Sequence, residues 1–246
     1  MRVKLLQLKY FAKTFRRATT PRFFVNSLPK SGTNLVVSLT DAYGLLRISG
    51  PIISTRAHPD LFRNRQGMIF GHVEHMDDLA RDTGVDKGFL LIRRPADYAV
   101  SLARYIVASR RHPLHAALHD LPPEELLTAV IGGTRTAESF SLDPVATRYA
   151  TYLESAKAAG LVLLDFDELR AGGPAGGAET AFLELIGGPD YARNFSAMLT
   201  RSQETSSTFR HSLRARAVEF PIAKMTGHAS LVAAERMYDE ALRTRA

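Results

Sequence analysis

Short apolar runs alternate along the chain with longer segments whose apolar residues recur at helical spacing. The short runs are rich in aromatic, β-branched or leucine residues and predict strands over 22–28, 68–73, 89–93 and 161–166. The longer segments predict helices over 34–43, 95–108, 143–159, 178–186 and 231–242. Because a strand followed by a helix usually returns to a parallel strand, the pattern predicts an α/β fold, a three-layer parallel sheet flanked by helices.

Three segments stand apart from this pattern. Residues 109–142 are polar and rich in proline and glycine, which favours an insertion or lid, and 171–177 predict a surface loop. Residues 187–216 are polar and predict irregular structure near the C-terminal end. The run at 161–166 is apolar almost throughout, which is typical of a strand buried on both faces.

Composition narrows the function classes. The 246 residues include no cysteine, which excludes a disulfide scaffold, a thiolate nucleophile and any cysteine-ligated metal site. The net charge is +7, and residues 1–24 carry seven basic side chains and no acidic one, so the rest of the chain is electrically balanced. A nucleic-acid binder would spread cations and aromatic residues along a groove, so we expect no nucleic-acid partner.

The N-terminal segment predicts a basic amphipathic helix over 1–20, ahead of one α/β domain over 21–246. Lysines interrupt every apolar stretch that could serve a secretory signal, and no apolar run approaches the roughly 20 residues of a membrane span, so we expect a cytoplasmic protein. Two interpretations of the helix stay open. It packs its apolar stripe on the domain, or it attaches peripherally to the anionic inner membrane surface.

The turn at 29–34 lies between the first strand and the first helix and has the composition of a phosphate site. Backbone N–H groups and the positive end of a helix dipole converge at such a turn. Gly32 allows a close backbone approach and Lys30 adds a mobile positive charge. Further donors come from the side chains of Ser31, Thr33 and Asn34. The lysine precedes the glycine, unlike the ATP-binding pattern G-x-x-x-x-G-K-[ST].

Two blocks together resemble the sulfotransferases that use 3′-phosphoadenosine 5′-phosphosulfate (PAPS). Residues 29–33 read P-K-S-G-T, which is similar to the family's 5′-phosphosulfate loop. Residues 93–101 match the family's 3′-phosphate element R-x-P-x-x-x-x-x-S, so the resemblance implies that Arg93 and Ser101 bind that phosphate. It also implies a P-loop NTPase-like fold with a helical insertion and an irregular C-terminal lid, PAPS as donor, adenosine 3′,5′-bisphosphate (PAP) as product, and no metal.

Weaker similarities extend the resemblance to other segments. His72 follows the second strand where the family has its general base, although Glu74 and His75 are near enough to compete for that role. Phe195 corresponds to the family's adenine pocket and Arg210 to its second 3′-phosphate element. Asp165 resembles the family's strand end, where a structural cap is expected.

The resemblance implies in-line transfer of a sulfuryl group to a hydroxyl or amine, with Lys30 and His72 as the catalytic residues. The acceptor stays open among small molecules, glycans, lipid-linked sugars and peptide tyrosines, contacted through 45–66 and the insertion at 109–142. Two alternatives also stay open: another P-loop-like phosphate-binding transferase or kinase, and a non-catalytic membrane-surface adaptor that uses the basic N-terminus. His112, His115 and His119 have helix-like spacing, but Pro113 and polar neighbours favour a solvated loop over a zinc site.

Overall fold

Four parallel strands form the central sheet in the described part of the chain. The structure is a computed structural model, and it describes residues 22–45, 67–77, 81, 85, 87–135, 140–172, 177–186, 194–205 and 218–245. The strands of the sheet are β1 (Arg22–Ser27), β2 (Gly67–Gly71), β3 (Gly88–Ile92) and β6 (Val162–Asp165). Their spatial order is β2-β1-β3-β6, and every neighbouring pair is parallel. The strands predicted from the sequence are confirmed to within about two residues at each end.

Helices cover both faces of the sheet. In chain order they are α1 (Thr33–Ala42), α2 (Pro95–Ala108), α3 (His115–Leu118), α4 (Pro123–Gly132), α5 (Val145–Ala159), α6 (Phe166–Ala171), α7 (Ala178–Ile186), α8 (Phe195–Thr205) and α9 (Ala229–Thr244). A short antiparallel ribbon pairs β4 (Thr134–Arg135) with β5 (Ser141–Leu142), and a 3-10 turn spans Ile222–Met225. In the part of the chain that the structure describes, no helix is both long and apolar enough to span a membrane.

Successive strand residues contribute to two separate cores. Phe24 and Leu90 pack with α2, α4, α5 and α9 on one face, whereas Phe23 and Phe89 pack with α1, α7 and α8 on the other. This division follows from the two-residue period of a strand, which turns neighbouring side chains to opposite faces. The predicted three-layer α/β architecture is therefore confirmed.

The expectation for the strand at 161–166 was wrong in one respect. β6 lies at an edge of the described sheet, beside β3 only, and Val162 is 44% exposed. Helices cover the inner strands on both faces, but they cover this edge incompletely. A continuous apolar run therefore did not distinguish an edge strand from a central one.

Two segments predicted to be polar or irregular contribute to the cores. Within 109–142, Leu127, Val130 and Ile131 on α4 are fully buried, so the segment packs into the domain instead of forming a polar lid. Residues 195–205 form α8, although 187–216 were expected to be irregular. The predicted N-terminal helix over 1–20 lies outside the described residues.

Candidate active site

All four strands of the sheet end at the same edge, and each carboxyl end leads into a residue of interest. β1 leads into the turn before α1, β2 into His72, β3 into Arg93 and β6 into Phe166. In open α/β sheets the crevice beyond the carboxyl ends of the strands is where ligands bind. The sequence motifs of the first and third strands therefore share one edge.

The turn between β1 and α1 is tight and has an unusual backbone. The Ser31 N–H donates to the carbonyl oxygen of Leu28 at 3.1 Å, and both Lys30 and Gly32 have positive φ angles, 74° and 99°. A Cβ atom on Gly32 would lie 2.0 Å from Cδ2 of Phe166. Glycine is therefore required here by its backbone angle and by the aromatic ring packed against it.

One buried side-chain donor of this turn has no acceptor among the described residues. Gly32 caps α1 without a side-chain hydrogen bond, and the first turn of the helix holds no acidic residue. The Ser31 hydroxyl is fully buried and has no hydrogen-bond partner. Because buried polar groups are nearly always paired, an unpaired hydroxyl beside an uncapped helix N-terminus fits an oxyanion that accepts these hydrogen bonds.

Lys30 is held over an aromatic ring. Its Nζ lies 3.8 Å from the centroid of the Tyr105 ring on α2, an arrangement that stabilises a cation. Burial, and then the nearby positive charge of Arg93, lower the pKa of Lys30 to about 8. The ammonium is charged at neutral pH but poorly compensated, so a bound anion would stabilise it.

Arg93 approaches the same turn from β3. Its guanidinium lies 4.9 Å from the centroid of the Phe166 ring, and its buried Nε has no partner. The Tyr149 hydroxyl donates to the backbone carbonyl of Arg93 and fixes the end of the strand. Since the Phe166 ring packs on Gly32 and also faces the Arg93 guanidinium, one aromatic ring contacts both sequence motifs.

His72 is oriented by β1. Its Nδ1 lies 2.8 Å from the carbonyl oxygen of Ser27, which can only accept, so Nδ1 carries the proton and Nε2 keeps the lone pair in the neutral ring. Burial lowers the pKa of His72; the Ser27 hydrogen bond raises it in part, and the charge of Lys30 lowers it. The Ser27 hydroxyl also lies 2.5 Å from Thr33 Oγ1, which connects the histidine to the start of α1.

Asn26 fixes the segment that carries His72. The side chain is fully buried, its Nδ2 donates to the Val73 carbonyl at 2.8 Å, and its Oδ1 accepts from the Val73 N–H at 2.9 Å. The next residue along the strand also donates to Oδ1, from the Ser27 N–H at 3.0 Å. The Asn26 side chain therefore binds the backbone of Val73, next to His72, and the backbone of Ser27 at the end of β1.

The remaining predicted residues fall into three groups. Ser101 is half-buried on α2 and Asn34 is exposed on α1, and their contacts with a nucleotide stay predictions. Phe195 is 2% exposed and packs edge-on against Phe182, so its ring lies in the core, and its place in an adenine pocket stays a prediction. Arg210 lies outside the described residues.

The predicted cap is confirmed. Asp165 accepts from the Glu168 N–H at 2.8 Å and caps α6, and its second carboxyl oxygen accepts from the Tyr238 hydroxyl. The carboxylate thus holds α6, which carries Phe166, against α9.

The three histidines considered for zinc make other contacts. His112 Nδ1 accepts from the Leu114 N–H, and His115 Nδ1 lies 2.7 Å from the carbonyl oxygen of Ile106. The His115 and His119 rings stack at 4.4 Å. Among the described residues, no group of three histidine or acidic side chains is arranged to hold a metal ion.

A solved structure shares this architecture. The crystal structure of the mouse sulfotransferase SULT7A1 complexed with PAP matches 91% of this chain and 85% of its own, with a TM-score of 0.53 and 14% sequence identity. The chain has the sulfotransferase fold. No protein-family model and no curated protein sequence matches it.

Within this sulfotransferase fold, sequence reasoning missed the aromatic residues that assemble the site. Phe166, Tyr105 and Tyr149 come from three different helices and meet the motifs only after folding. A local signal existed for Phe166 alone, because it follows the capping Asp165 at a predicted strand end. Tyr105 and Tyr149 have no such signal, since apolar helix positions usually belong to a core.

Proposed function

We propose that the protein is a PAPS-dependent sulfotransferase that moves a sulfuryl group to a hydroxyl or amine acceptor. The observation that carries the proposal is that the Gly32 turn and the Arg93 guanidinium both contact the Phe166 ring. A nucleotide with phosphate groups at both ends of its ribose needs two such anchors. The fold shared with a PAP-bound sulfotransferase supports the same nucleotide class.

The residues present fit this donor. Two buried polar atoms without partners, the Ser31 hydroxyl and Arg93 Nε, stand where oxyanions would accept from them. Lys30, the Ser31 hydroxyl and the N–H groups of 32–34 would hold the 5′-phosphosulfate, and Arg93 with Ser101 would hold the 3′-phosphate. No carboxylate among the described residues forms an ion pair with Lys30 or Arg93, so a bound anion would stabilise both cations.

The protein would promote the transfer by orienting the donor and by stabilising the charge that develops on its phosphate. PAPS, when bound, supplies an activated sulfuryl group whose bond to the 5′-phosphate oxygen breaks as the acceptor oxygen bonds to sulfur, leaving PAP. Lys30 would stabilise the negative charge that develops on that phosphate oxygen. Its ammonium is buried, and electrostatic interactions are stronger away from water. The N–H groups at the start of α1 act in the same direction.

His72 has the tautomer that a general base needs. With Nδ1 donating to Ser27, Nε2 accepts the proton from the acceptor hydroxyl, and the Ser27 carbonyl stabilises the imidazolium that forms. Its lowered pKa keeps the ring neutral at pH 7. Glu74 and His75 are exposed and make no contact of this kind with β1 in the described structure, so we assign the base to His72.

Nucleotide selectivity tests this proposal. In a thermal unfolding assay, PAP at about 100 times its dissociation constant should add about 2.7 kcal/mol to the free energy of unfolding, without metal. Lys30→Ala and Arg93→Ala should each diminish that gain. Arg94→Ala is the matched control, because this exposed neighbour faces Glu235 at 4.0 Å and should leave the gain intact. Stronger stabilisation by ATP with magnesium than by PAP would contradict the proposal and favour a kinase.

A further inference from the structure

Arg148 on α5 is a buried cation that forms no ion pair in the described part of the chain, and its guanidinium carbon lies 5.7 Å from the centroid of the Tyr98 ring. It is 9% exposed; its Nε donates to the Asp143 carbonyl at 3.1 Å and its Nη1 donates to the Tyr98 hydroxyl. Its Nη2 is buried and has no partner. None of the acidic residues in the described part of the chain forms an ion pair with this guanidinium.

Such an arrangement is costly unless something compensates it. A buried charge without an opposite charge costs several kcal/mol, and an unpaired buried donor adds to that cost. Lys30 is a buried cation of the same kind and Arg93 has a buried donor without a partner, and the phosphates of the proposed donor account for both. Arg148 has no part in the donor site or the proton transfer, so its charge requires a separate explanation.

Neighbouring contacts connect Arg148 with the segments that carry His72 and Arg93. The 72–77 segment docks on the same helix, through the Met76 N–H that donates to the Ser155 hydroxyl at 2.8 Å. Tyr98, which receives the Arg148 bond, stacks edge-on with Tyr149 at 5.7 Å, and Tyr149 holds the Arg93 carbonyl. Arg148 and Lys30 both lower the pKa of His112, after burial, so both charges face that ring.

A row of partly exposed aromatic rings extends from Lys30 to Phe140. Tyr105, beneath Lys30, meets the His112 ring edge-on at 5.4 Å, and His112 meets Phe140 at 6.3 Å. Tyr105 and Phe140 are 38% and 36% exposed, whereas most large apolar residues that the structure describes are buried. Exposed aromatic faces beside a reacting centre suit the flat ring of a small molecule.

We propose that the acceptor is a ring-bearing hydroxyl compound with an anionic group, a carboxylate or a phosphate, and that Arg148 binds this group through Nη2. Arg148 is then a specificity residue, which selects the acceptor while His72 and Lys30 act on the reacting atoms. This inference rests on the proposed sulfotransferase function. It predicts discrimination against neutral acceptors of equal size.

Two acceptor probes of nearly equal shape test the inference: 4-hydroxybenzoate and its neutral amide, 4-hydroxybenzamide. Transfer from labelled PAPS by the full chain gives kcat/KM for each. We expect the carboxylate to be preferred about tenfold or more, mainly through KM, and Arg148→Gln to abolish the preference. Equal use of the two probes by the unaltered protein, or a preference that survives in Arg148→Gln, would overturn the inference.

Three controls separate selection from folding and from donor binding. Arg111→Gln removes an exposed cation next to His112 and should keep the preference, whereas Arg148→Lys should keep only part of it. PAP affinity should be unchanged in Arg148→Gln, and a tenfold loss would assign Arg148 to the donor instead. If Arg148→Gln does not fold, the preference of the unaltered protein and its reduction in Arg148→Lys decide the question.

A binding measurement distinguishes failure of this inference from failure of the proposed function. Stabilisation by 4-hydroxybenzoate, 4-hydroxyphenyl phosphate and 4-hydroxybenzamide is compared by thermal unfolding without donor. If PAP does not bind, the sulfotransferase proposal fails, whereas Arg148-dependent stabilisation by either anionic probe still supports the anion site. Stabilisation by neither anion, or the same stabilisation in Arg148→Gln, overturns the inference.

Discussion

Lys30 shows at the scale of one residue how a binding site opposes stability. Its φ of 74° lies in the left-handed region, which costs a non-glycine residue about 1 kcal/mol. Its buried ammonium has a pKa lowered to about 8, so the folded protein holds this proton less tightly than the unfolded chain does. An anion bound beside Lys30 would offset the cost of burying its ammonium.

Lys30→Met should therefore stabilise the protein without ligand, by about 1–3 kcal/mol at pH 7, while abolishing PAP binding. The sign follows from the pKa, because a lowered folded value means that stability rises as the pH increases from about 8 toward 10.5. Urea unfolding at pH 7 and pH 9.5 should show this rise in the unaltered protein and a smaller one in Lys30→Met. A Lys30→Met variant less stable than the unaltered protein at pH 7 would show that the buried ammonium does not destabilise the fold.

PAP affinity should also depend on the protonation of Lys30. Above pH 8 the free protein loses this charge, so the dissociation constant for PAP should rise by up to about tenfold per pH unit between pH 8 and 10. Lys30→Arg keeps its charge over the whole range and should give a flat profile. Isothermal titration at several pH values checks both curves, and parallel profiles would exclude Lys30 as the titrating group.

At the scale of elements, the turn before α1 and the helix α6 form one unit. Phe166 occupies the space that a side chain at residue 32 would need, so the turn and the aromatic ring require each other. Strand β1 contributes Asn26 and Ser27, which hold the 72–73 segment beside that turn. The turn that we propose to bind the nucleotide and the proposed base, His72, are thus positioned by the same strand.

Gly32→Ala should destabilise the fold by about 2–4 kcal/mol and weaken PAP binding, since the new methyl group meets the Phe166 ring and the backbone has a positive φ. Gly160→Ala is the matched control. This glycine ends α5 at a φ of 67°, with no atom within 4 Å of the added methyl, so only the backbone cost of about 1 kcal/mol applies. Equal losses in the two variants would show that Phe166 does not fill this space.

Asn26→Asp should destabilise the protein by about 2–5 kcal/mol at pH 7.5, because it removes the donor to Val73 and leaves a fully buried carboxylate facing a carbonyl. Protonation in acid restores a donor, so the deficit should shrink as the pH falls. Asn34→Asp, at an exposed position in the first turn of α1, should change stability little. Unfolding by urea at pH 7.5 and 5 measures both, and a deficit independent of pH would contradict this role of Asn26.

Local sequence predicted the positions of most strands and helices, but not how these elements pair and pack. The strands ending before Pro29 and at Ile92, and the long helix ending at Gly160, follow from residues within a few positions. The helix α4 had its own signals, two prolines and two glutamates before an apolar stripe, which the many polar residues of 109–142 obscured. The edge position of β6 depends on which strands pair, and no local pattern encodes that.

At the scale of the whole molecule, one edge of the sheet combines residues from distant parts of the chain. Lys30, His72 and Arg93 were predictable because each lies in a motif that follows a predicted strand. Phe166, Tyr105 and Arg148 were not, because their roles arise from the packing of α2, α5 and α6 against that edge. Attachment of residues 1–20 to a membrane surface stays a prediction.

The proposed site has two distinct phosphate anchors, Lys30 with its turn and Arg93, and the affinities for PAP and adenosine 5′-phosphate distinguish them. These nucleotides differ only in the 3′-phosphate. By isothermal titration, Lys30→Ala should weaken the binding of both, whereas Arg93→Ala should weaken PAP about tenfold or more and leave adenosine 5′-phosphate unchanged. Equal losses for the two nucleotides in Arg93→Ala, or no loss for PAP in either variant, would contradict the central claim.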